Sequence, residues 1–234
     1  MKILALDTAT GCCSTALHIG ATLLVREEQT DRGHAQLILP MIDALLAEAG
    51  IRLGALDAIA FGRGPGAFTG LRLAASVTQG LAFAASLPVL PVSDLRAVAL
   101  RGARLARQQS VRFTQVLVCQ DARMREIYTA RFAPDTNELM RESEPERVIP
   151  PDQLNVPGDG FIGAGSGFAE YAEALAGVSA ALALCLPQCG PHAREIAELG
   201  AADLRRGGGL PADAAQPVYL RDDVARPTRP TPTP

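Results

Sequence analysis

In this sequence, the segment whose glycine spacing is most typical of a binding loop is rich in glycine. It reads Phe61-Gly-Arg-Gly-Pro-Gly-Ala-Phe-Thr-Gly-Leu-Arg72, with a predicted strand before it and a helix predicted to begin near Phe68 or Thr69. Backbone N–H groups at a helix N-terminus can bind an anion such as phosphate. The segment has no Gly-Lys-Ser/Thr and is therefore not a Walker phosphate loop. Glycines also allow positive φ and the close approach of a helix, and we prefer this structural interpretation.

Two aspartates stand at matching places in the two halves of the chain. Asp7 ends the apolar run that starts at Ile3, and Asp121 ends the apolar run that starts at Val116. Two-lobed ATPases of the actin-like and sugar-kinase-like kind place acids and turn amides around Mg²⁺ and phosphates at such strand ends. A turn-forming aspartate that accepts bonds from local backbone amides explains each residue alone more simply. Asp7 and Asp121 are therefore candidate vestigial nucleotide-facing residues, with the turn as the alternative.

The other reactive side chains form no recognisable catalytic or metal site. His18, His34 and His192 are widely spaced, and none has a second ligand at i, i+4. Two cysteines at that spacing are separated by Pro187, which disfavours the helix they would need. Serines and threonines are plentiful, but no His/Asp arrangement marks one of them as a nucleophile. We expect no metal and no catalytic residue.

Composition and charge favour a globular protein with a sizeable core. The chain has 234 residues, of which 48% are hydrophobic and 20% charged, so it can bury roughly 70% of its unfolded surface. A net charge of −3 without a Lys/Arg run argues against binding nucleic acid alone, although a partner could supply positive charge. Five cysteines without paired C-x-x-C motifs indicate a reducing compartment. Because no signal peptide or membrane span is recognisable, we expect a cytoplasmic protein.

The predicted elements of the first half alternate as in an α/β domain. They are strands at residues 2–7, 14–19 and 22–28, a helix at 34–49, a strand at 58–62, a helix at 68–85, a strand at 89–92 and a helix at 94–107. Pro40 lies near the second turn of the first helix and predicts a late start or a slight kink.

The second half opens with the pattern of the first. A strand ends at Asp121, a short turn follows, and an alternating strand covers residues 126–132, as the strands around Asp7 do. This pattern predicts a duplicated ββ-turn unit. A polar segment at 134–152 then precedes a strand at 160–163, a helix at 168–175 and a helix at 191–206, with Pro191 in the first turn of the last helix.

These elements suggest two lobes and a tail. We expect an N-terminal lobe at residues 1–108 and a C-terminal lobe at 109–225, with the helix at 191–206 packing back on the N-terminal lobe. The Pro/Thr-rich residues 226–234 can form neither a ladder nor a helix and are expected to be disordered.

Two early helices carry more apolar or small side chains than one buried face needs. The helix at 34–49 has a wide aliphatic stripe, and the helix at 68–85 has small residues that let another backbone approach closely. Such faces are typical of a helix-bundle interface with another subunit. Burial between the sheet and a neighbouring element of the same chain explains them equally well.

Several segments together resemble the TsaB family, also called YeaZ. They are Ile3-Leu-Ala-Leu-Asp-Thr-Ala-Thr10, His34-Ala-Gln-Leu-Ile-Leu-Pro-Met41, the glycine-rich block Gly62 to Arg72, Pro91-Val-Ser93, Asp121-Ala-Arg-Met124 and Pro217-Val-Tyr-Leu-Arg221. The correspondence runs in order from Met1 to about Val224, and the glycine-rich block is its most specific part. Its family-motif residues are Gly62, Arg63, Gly64, Pro65, Gly66, Phe68, Thr69 and Gly70.

The resemblance implies a two-lobed actin-like (ASKHA) α/β fold with duplicated lobes and a part in making threonylcarbamoyladenosine in tRNA. In that family the protein is a non-catalytic scaffold that binds the related transferase TsaD through its N-terminal lobe, and an ATPase, TsaE, joins the pair. TsaD moves the threonylcarbamoyl group from an adenylate donor to N6 of the adenosine 3′ of the anticodon, in tRNAs that read codons beginning with A. The resemblance implies contact with tRNA through the complex, and no membrane partner.

The resemblance also implies where this chain meets its partner. The family's interface maps onto the helices at 34–49 and 68–85, and the expected contacts are Leu37, Met41, Leu45, Arg72, Ala75 and Gln79. No cofactor of its own is expected, although a nucleotide could bind at the junction with the transferase. The isolated chain could form a homodimer through the same helices.

One departure from the transferase supports a non-catalytic role. The transferase follows its Pro-Val pair with a His-x-x-x-His metal site, whereas this chain has Asp94 and Val98 at those positions. Valine cannot ligate a metal. The alternative hypothesis is a stand-alone ASKHA-type ATPase or phosphotransferase that works through Asp7, Asp121 and the glycine loops.

Overall fold

The first half of the chain builds a five-stranded mixed sheet. A computed structural model describes residues 1–30, 32–156 and 158–221. The strands of the first sheet are β1 (Lys2–Asp7), β2 (Cys12–Ile19), β3 (Thr22–Gln29), β4 (Ala58–Gly62) and β5 (Val89–Val92). Their order is β3-β2-β1-β4-β5, antiparallel among the first three and parallel from β1 to β5.

The second half builds a second sheet with the same topology. Its strands are β6 (Gln115–Asp121), β7 (Ile127–Pro134), β8 (Met140–Ile149), β9 (Phe161–Ala164) and β10 (Leu184–Leu186). Their order is β10-β9-β6-β7-β8, so β6 to β10 take the places of β1 to β5. The predicted duplication is therefore confirmed, and it extends beyond the ββ-turn unit to all five strands.

Helices cover both faces of the first sheet. The α-helices of the described residues are α1 (His34–Glu48), α2 (Phe68–Ala85), α3 (Asp94–Gln108), α4 (Gly167–Glu170), α5 (Ala176–Ala180) and α6 (Ala193–Arg205). Because side chains alternate along a strand, Leu4 and Leu6 of β1 share one core cluster with α1 and α2, whereas Ile3 and Ala5 share another with α3 and α6. The second cluster also contains residues of β6, β7 and β9, so α3 and α6 join the two halves in one continuous core.

Glycines let these two helices approach the sheets closely. A Cβ on Gly200 of α6 would lie 2.8 Å from Cβ of Ala60 in β4, and a Cβ on Gly102 of α3 would lie 2.9 Å from Cβ of Ala164 in β9. Strand β9 occupies in the second sheet the place of β4 in the first. Each sheet therefore receives one central helix through a glycine–alanine contact, which is a second trace of the duplication.

The structure corrects several predicted elements of the second half. The segment 134–152 contains β8, an edge strand. Many of its side chains are charged and face solvent, so its sequence lacks the apolar pattern that predicts a strand. Of the predicted helix at 168–175 only the first residues are helical, in α4; residues 171–175 form a turn, and the short helix α5 follows the predicted range. The last helix begins at Ala193 with the His192 side chain accepting a hydrogen bond from Arg194 N (3.1 Å), so Pro191 precedes the helix.

Two further expectations concern Pro40 and the tail. Helix α1 begins at His34 with Pro40 inside it, so the late start is wrong. The tail at 226–234 lies outside the described residues.

Candidate functional site

A cleft of about 1140 Å³ opens between the two halves, at the ends of β1 and β6. Three backbone segments line it: the turn after β1, the glycine-rich loop before α2 and the turn after β6. Side chains of α3, including Asp94 and Arg101, also reach it. The duplicated topology therefore brings the two predicted aspartate turns and the glycine loop to one place.

The glycine-rich loop packs directly against the turn after β1. A Cβ on Gly70 would lie 1.8 Å from the Thr8 carbonyl oxygen, and a Cβ on Gly66 would lie 2.8 Å from Ala9 Cβ. Ala67 N donates to Ala9 O (2.8 Å), and Thr8 Oγ1 donates to Gly70 O (2.7 Å). The glycines are therefore explained by the close approach of the loop and the turn, which is the interpretation preferred from the sequence.

Asp7 and Asp94 form a buried carboxyl pair beside this loop. Both side chains are buried, and their carboxyl groups lie close enough to share a hydrogen bond when one of them is protonated. Asp7 Oδ1 accepts from Ala9 N (2.8 Å), and Asp94 Oδ2 accepts from Gly64 N. Asp7 Oδ2 and Asp94 Oδ1 have no other protein partner, so one proton held between them satisfies both.

Burial governs the ionisation of this pair. It raises the pKa of Asp7 to about 6, against the lowering effects of the bonds from Ala9 and Asp94. It also raises the pKa of Asp94 well above its usual value, and the charge of Asp7 adds to that rise. Asp94 is therefore the member of the pair to which we assign the shared proton. A Cβ on Gly62 would lie 2.3 Å from Asp94 Oδ1, so the loop must have glycine there.

Asp121 holds its own turn, as its counterpart Asp7 does. Its Oδ1 accepts from Arg123 N (2.8 Å) and from the Tyr171 hydroxyl (2.9 Å), and its Oδ2 pairs with Arg123 Nη1 (3.2 Å). Both carboxylate oxygens of Asp121 thus have a protein partner, and Asp7 is buried beside Asp94. Among the described residues no group of three or more His, Cys, Asp or Glu could hold a metal ion. These contacts favour the turn-forming interpretation of both aspartates.

Two side-chain contacts that were not predicted from the sequence join the two halves near the cleft. Glu146 of β8 accepts from the Ser93 hydroxyl and pairs with Arg63 Nη2 (3.2 Å) of the glycine loop. In a second contact between the halves, Nε2 of His192 lies against the carboxylate of Glu27 in β3. Glu146 lies in the segment predicted to be irregular, so no signal in the sequence pointed to its position.

Helices α1 and α2 present part of their surface to solvent. Phe83 is 81% exposed and Leu39 is 47% exposed. Gln79 and the neighbouring Gly80 are also exposed, and a Cβ on Gly80 would meet nothing within 4 Å. A large aromatic side chain that points into water beside an open glycine is typical of an interaction surface. We call Leu39, Gln79, Gly80 and Phe83 the α1–α2 surface.

The expected partner contacts divide into three groups. Leu45 (0% exposed) and Ala75 (4% exposed) lie in the core between the helices and the first sheet, where their side chains offer a partner little or no surface. Leu37 and Met41 are half-buried beside that core. Arg72, at the beginning of α2, and Gln79, further along the same helix, are exposed.

Two sheets of identical strand order, joined by central helices with a cleft between them, define a two-lobed α/β fold of the actin-like (ASKHA) class. The family model described as "TsaD: tRNA N6-adenosine threonylcarbamoyltransferase" matches residues 25–162. Among solved structures, "YeaZ from Pseudomonas aeruginosa" superimposes with a TM-score of 0.82 at 43% identity, covering 94% of this chain and 99% of the other.

Curated relatives identify the family. The protein named "tRNA threonylcarbamoyladenosine biosynthesis protein TsaB" from Haemophilus influenzae is 36% identical, over 96% of this chain and 95% of its own length. Its namesake from Escherichia coli K12 is also 36% identical, over 96% of both chains. The chain therefore belongs to the TsaB (YeaZ) family. No helix in the described part of the chain is long and apolar enough to cross a membrane.

Proposed function

We propose that this chain is a non-catalytic scaffold subunit in the synthesis of threonylcarbamoyladenosine in tRNA. It works with a TsaD-like transferase, which moves the threonylcarbamoyl group from the adenylate donor to N6 of the adenosine 3′ of the anticodon. A TsaE-like ATPase joins the two. The names of the TsaB relatives and the match to the TsaD family model support this role.

Two side chains of α3 are the observation that supports a non-catalytic role. Asp94 and Val98 stand where the related transferase has its two histidine metal ligands. Asp94 is buried and already bonded to Gly64 N and Asp7, and Val98 is buried and apolar. Neither side chain is a metal donor in this setting. The pair of carboxyls occupies the place of the metal site and fixes the loop instead.

The α1–α2 surface supports the partner-binding part. Its exposed apolar side chains, Leu39 and Phe83, are costly to leave in water and gain free energy when a partner covers them. The transferase is the partner we propose, and a second copy of this chain uses the same surface when the transferase is absent. A nucleotide at the junction with the transferase is part of the same proposal, as is a cytoplasmic location.

The stand-alone ATPase has no comparable support. Asp7 is buried against Asp94, and both oxygens of Asp121 are engaged by its own turn and by Tyr171. An ATPase of this class would need a carboxylate oxygen open to Mg²⁺.

A charge placed on the α1–α2 surface tests the proposal. Phe83→Asp should weaken binding to the transferase at least tenfold, because a carboxylate would be desolvated at the centre of the interface. The side chain is exposed in the isolated chain, so its thermal unfolding should stay close to that of the wild type. Ala172→Asp, an exposed site in the second half, is the charge-matched control. Calorimetric titration measures both, and equal affinities for Phe83→Asp and wild type would remove this surface from the interface.

A further inference from the structure

The segment 217–221 runs across the face of the molecule from the glycine-rich loop to the turn after β6. Val218 N donates to Arg63 O (2.7 Å), and a Cβ on Gly64 would lie 2.6 Å from Val218 O. At the other end, Arg221 Nη2 donates to Ala122 O (3.2 Å). This segment, one of the motifs of the family resemblance, thereby joins the two halves on the outside.

An arginine packed against two neighbouring aromatic rings lies at one end of this segment. The Arg72 guanidinium carbon lies 3.8 Å from the centre of the Phe68 ring and 5.9 Å from that of Tyr219. Arg72 Nε donates to the Tyr219 hydroxyl (2.9 Å), and the two ring centres are 5.4 Å apart. Phe68 is 49% exposed and Tyr219 is 40% exposed. We call these three residues the aromatic platform.

An arginine-rich turn lies at the other end. Arg123, Met124 and Arg125 are exposed and have left-handed φ values of 60°, 55° and 62°. Left-handed non-glycine residues are strained, and the Arg221 side chain holds this turn through Ala122 O, Met124 Sδ (3.3 Å) and the Glu126 carboxylate. Two residues of extended chain, about 7 Å, separate Arg221 from Tyr219 of the platform.

The charge along this face is positive, in contrast to the chain as a whole. Arg63, Arg123 and Arg221 pair with Glu146, Asp121 and Glu126 respectively. Arg72 and Arg125 have no carboxylate partner within residues 1–30, 32–156 and 158–221, so two positive charges on this face are unpaired among the described residues. The net charge of the whole sequence is −3.

This chemistry differs from that of the α1–α2 surface. Half-exposed aromatic rings beside guanidinium groups without a paired carboxylate match unpaired nucleotides, because bases stack on rings and phosphates bind positive charge. The α1–α2 surface instead offers Leu39 and Phe83 beside a small residue, which matches a packed helix of a protein.

We propose that the aromatic platform, continued by the 123–125 turn, binds unpaired nucleotides of the tRNA substrate while this chain is in complex with the transferase. The inference rests on the proposed function, because tRNA is the substrate of that complex. Phe68 and Tyr219 stack on bases, and Arg72 and Arg125 contact phosphates. The chain then orients the substrate in addition to supporting its partner.

Binding of a tRNA transcript to the assembled complex tests the proposal. Phe68→Ala and Tyr219→Ala should each raise the dissociation constant of tRNA about tenfold, by loss of one stacked base. Tyr219→Phe keeps the ring and should bind as the wild type does. Arg72→Ala should weaken binding and reduce the slope of log K against log salt by about one. Arg112→Ala, at the opposite end of β6, is the matched control.

Phe68→Ala and Tyr219→Ala must keep their affinity for the transferase, measured without tRNA; Arg72→Ala is left out of this comparison because Arg72 is also an expected contact with the transferase. If Phe68→Ala and Tyr219→Ala weaken that affinity instead, the platform is a protein contact and the proposal is wrong. Unchanged tRNA binding in both variants also overturns it. A failure of the proposed function is distinguishable, because the wild-type chain would then neither bind the transferase nor stimulate modification.

Discussion

Substitution by alanine should change the stability of the fold in opposite directions at two glycines of α2, Gly70 and Gly80. A Cβ on Gly70 would lie 1.8 Å from Thr8 O and 2.9 Å from Thr8 C, and both atoms belong to backbone fixed by β1. Carbon and oxygen need more than 3 Å, so Gly70→Ala must displace either the helix or the turn by over 1 Å. Gly80→Ala places its methyl group in open space on the same helix.

The expected magnitudes follow from these distances. Overpacking of this kind costs about 1–3 kcal/mol, and the upper end applies because backbone must move. Gly80→Ala should instead stabilise the chain by about 0.5–1 kcal/mol through helix propensity and reduced unfolded-state entropy. For a chain of this size 1 kcal/mol corresponds to about 2–4 °C in Tm.

Urea unfolding followed by circular dichroism, with calorimetry for Tm, measures both variants. We expect Gly70→Ala to unfold at least 4 °C below the wild type and Gly80→Ala 1–4 °C above it. A Gly70→Ala variant as stable as the wild type would refute the packing explanation of the glycine-rich loop. A destabilised Gly80→Ala would show that this face is covered within the chain, which would also weaken the case for the α1–α2 surface.

Two further predictions concern buried carboxylates. Burial raises the pKa of Asp94 in the fold above that of the unfolded chain, so the stability that Asp94 contributes is complete below about pH 4 and is lost as pH rises. The amide of Asp94→Asn can still donate a hydrogen bond to Asp7, but it has no proton to lose. The variant should therefore be more stable than the wild type at pH 7, and the difference should shrink toward pH 4. Urea unfolding at both pH values checks this, and a difference in stability that does not depend on pH would contradict the shared proton. Glu146→Ala should cost about 1–3 kcal/mol because Arg63 loses its carboxylate partner. The exposed Glu142→Ala is its control in the same urea assay, and equal effects on both would mean that Glu146 does not hold the halves together.

The sequence was most informative where local pattern and burial agree. The strands around Asp7 and Asp121 and the helices α1, α2 and α3 have strong apolar periodicity, and their bounds match the predictions to within about two residues. The resemblance to one family also rested on local motifs, and 36% identity over 96% of the chain confirms it.

The sequence was least informative where long-range contacts decide. Strand β8 has the composition of a loop, and only its pairing with β7 makes it a strand. The Asp7–Asp94 pair joins residues far apart in the chain, and no spacing rule reveals that they share a proton. Leu45 and Ala75 belong to the apolar stripes of their helices, but periodicity alone does not say whether a stripe faces the chain's own sheet or a partner.

Dependence of tRNA modification on this chain tests the central claim most directly. The reaction contains threonine, bicarbonate, ATP, the donor-forming enzyme, the transferase and the ATPase, with and without this chain, and modified adenosine is quantified in the tRNA. We predict modification only when the chain is present, unchanged by Asp7→Asn, which would abolish turnover in an ATPase that used this carboxylate. Equal modification with and without the chain, with every other component shown to be active, would contradict the scaffold role.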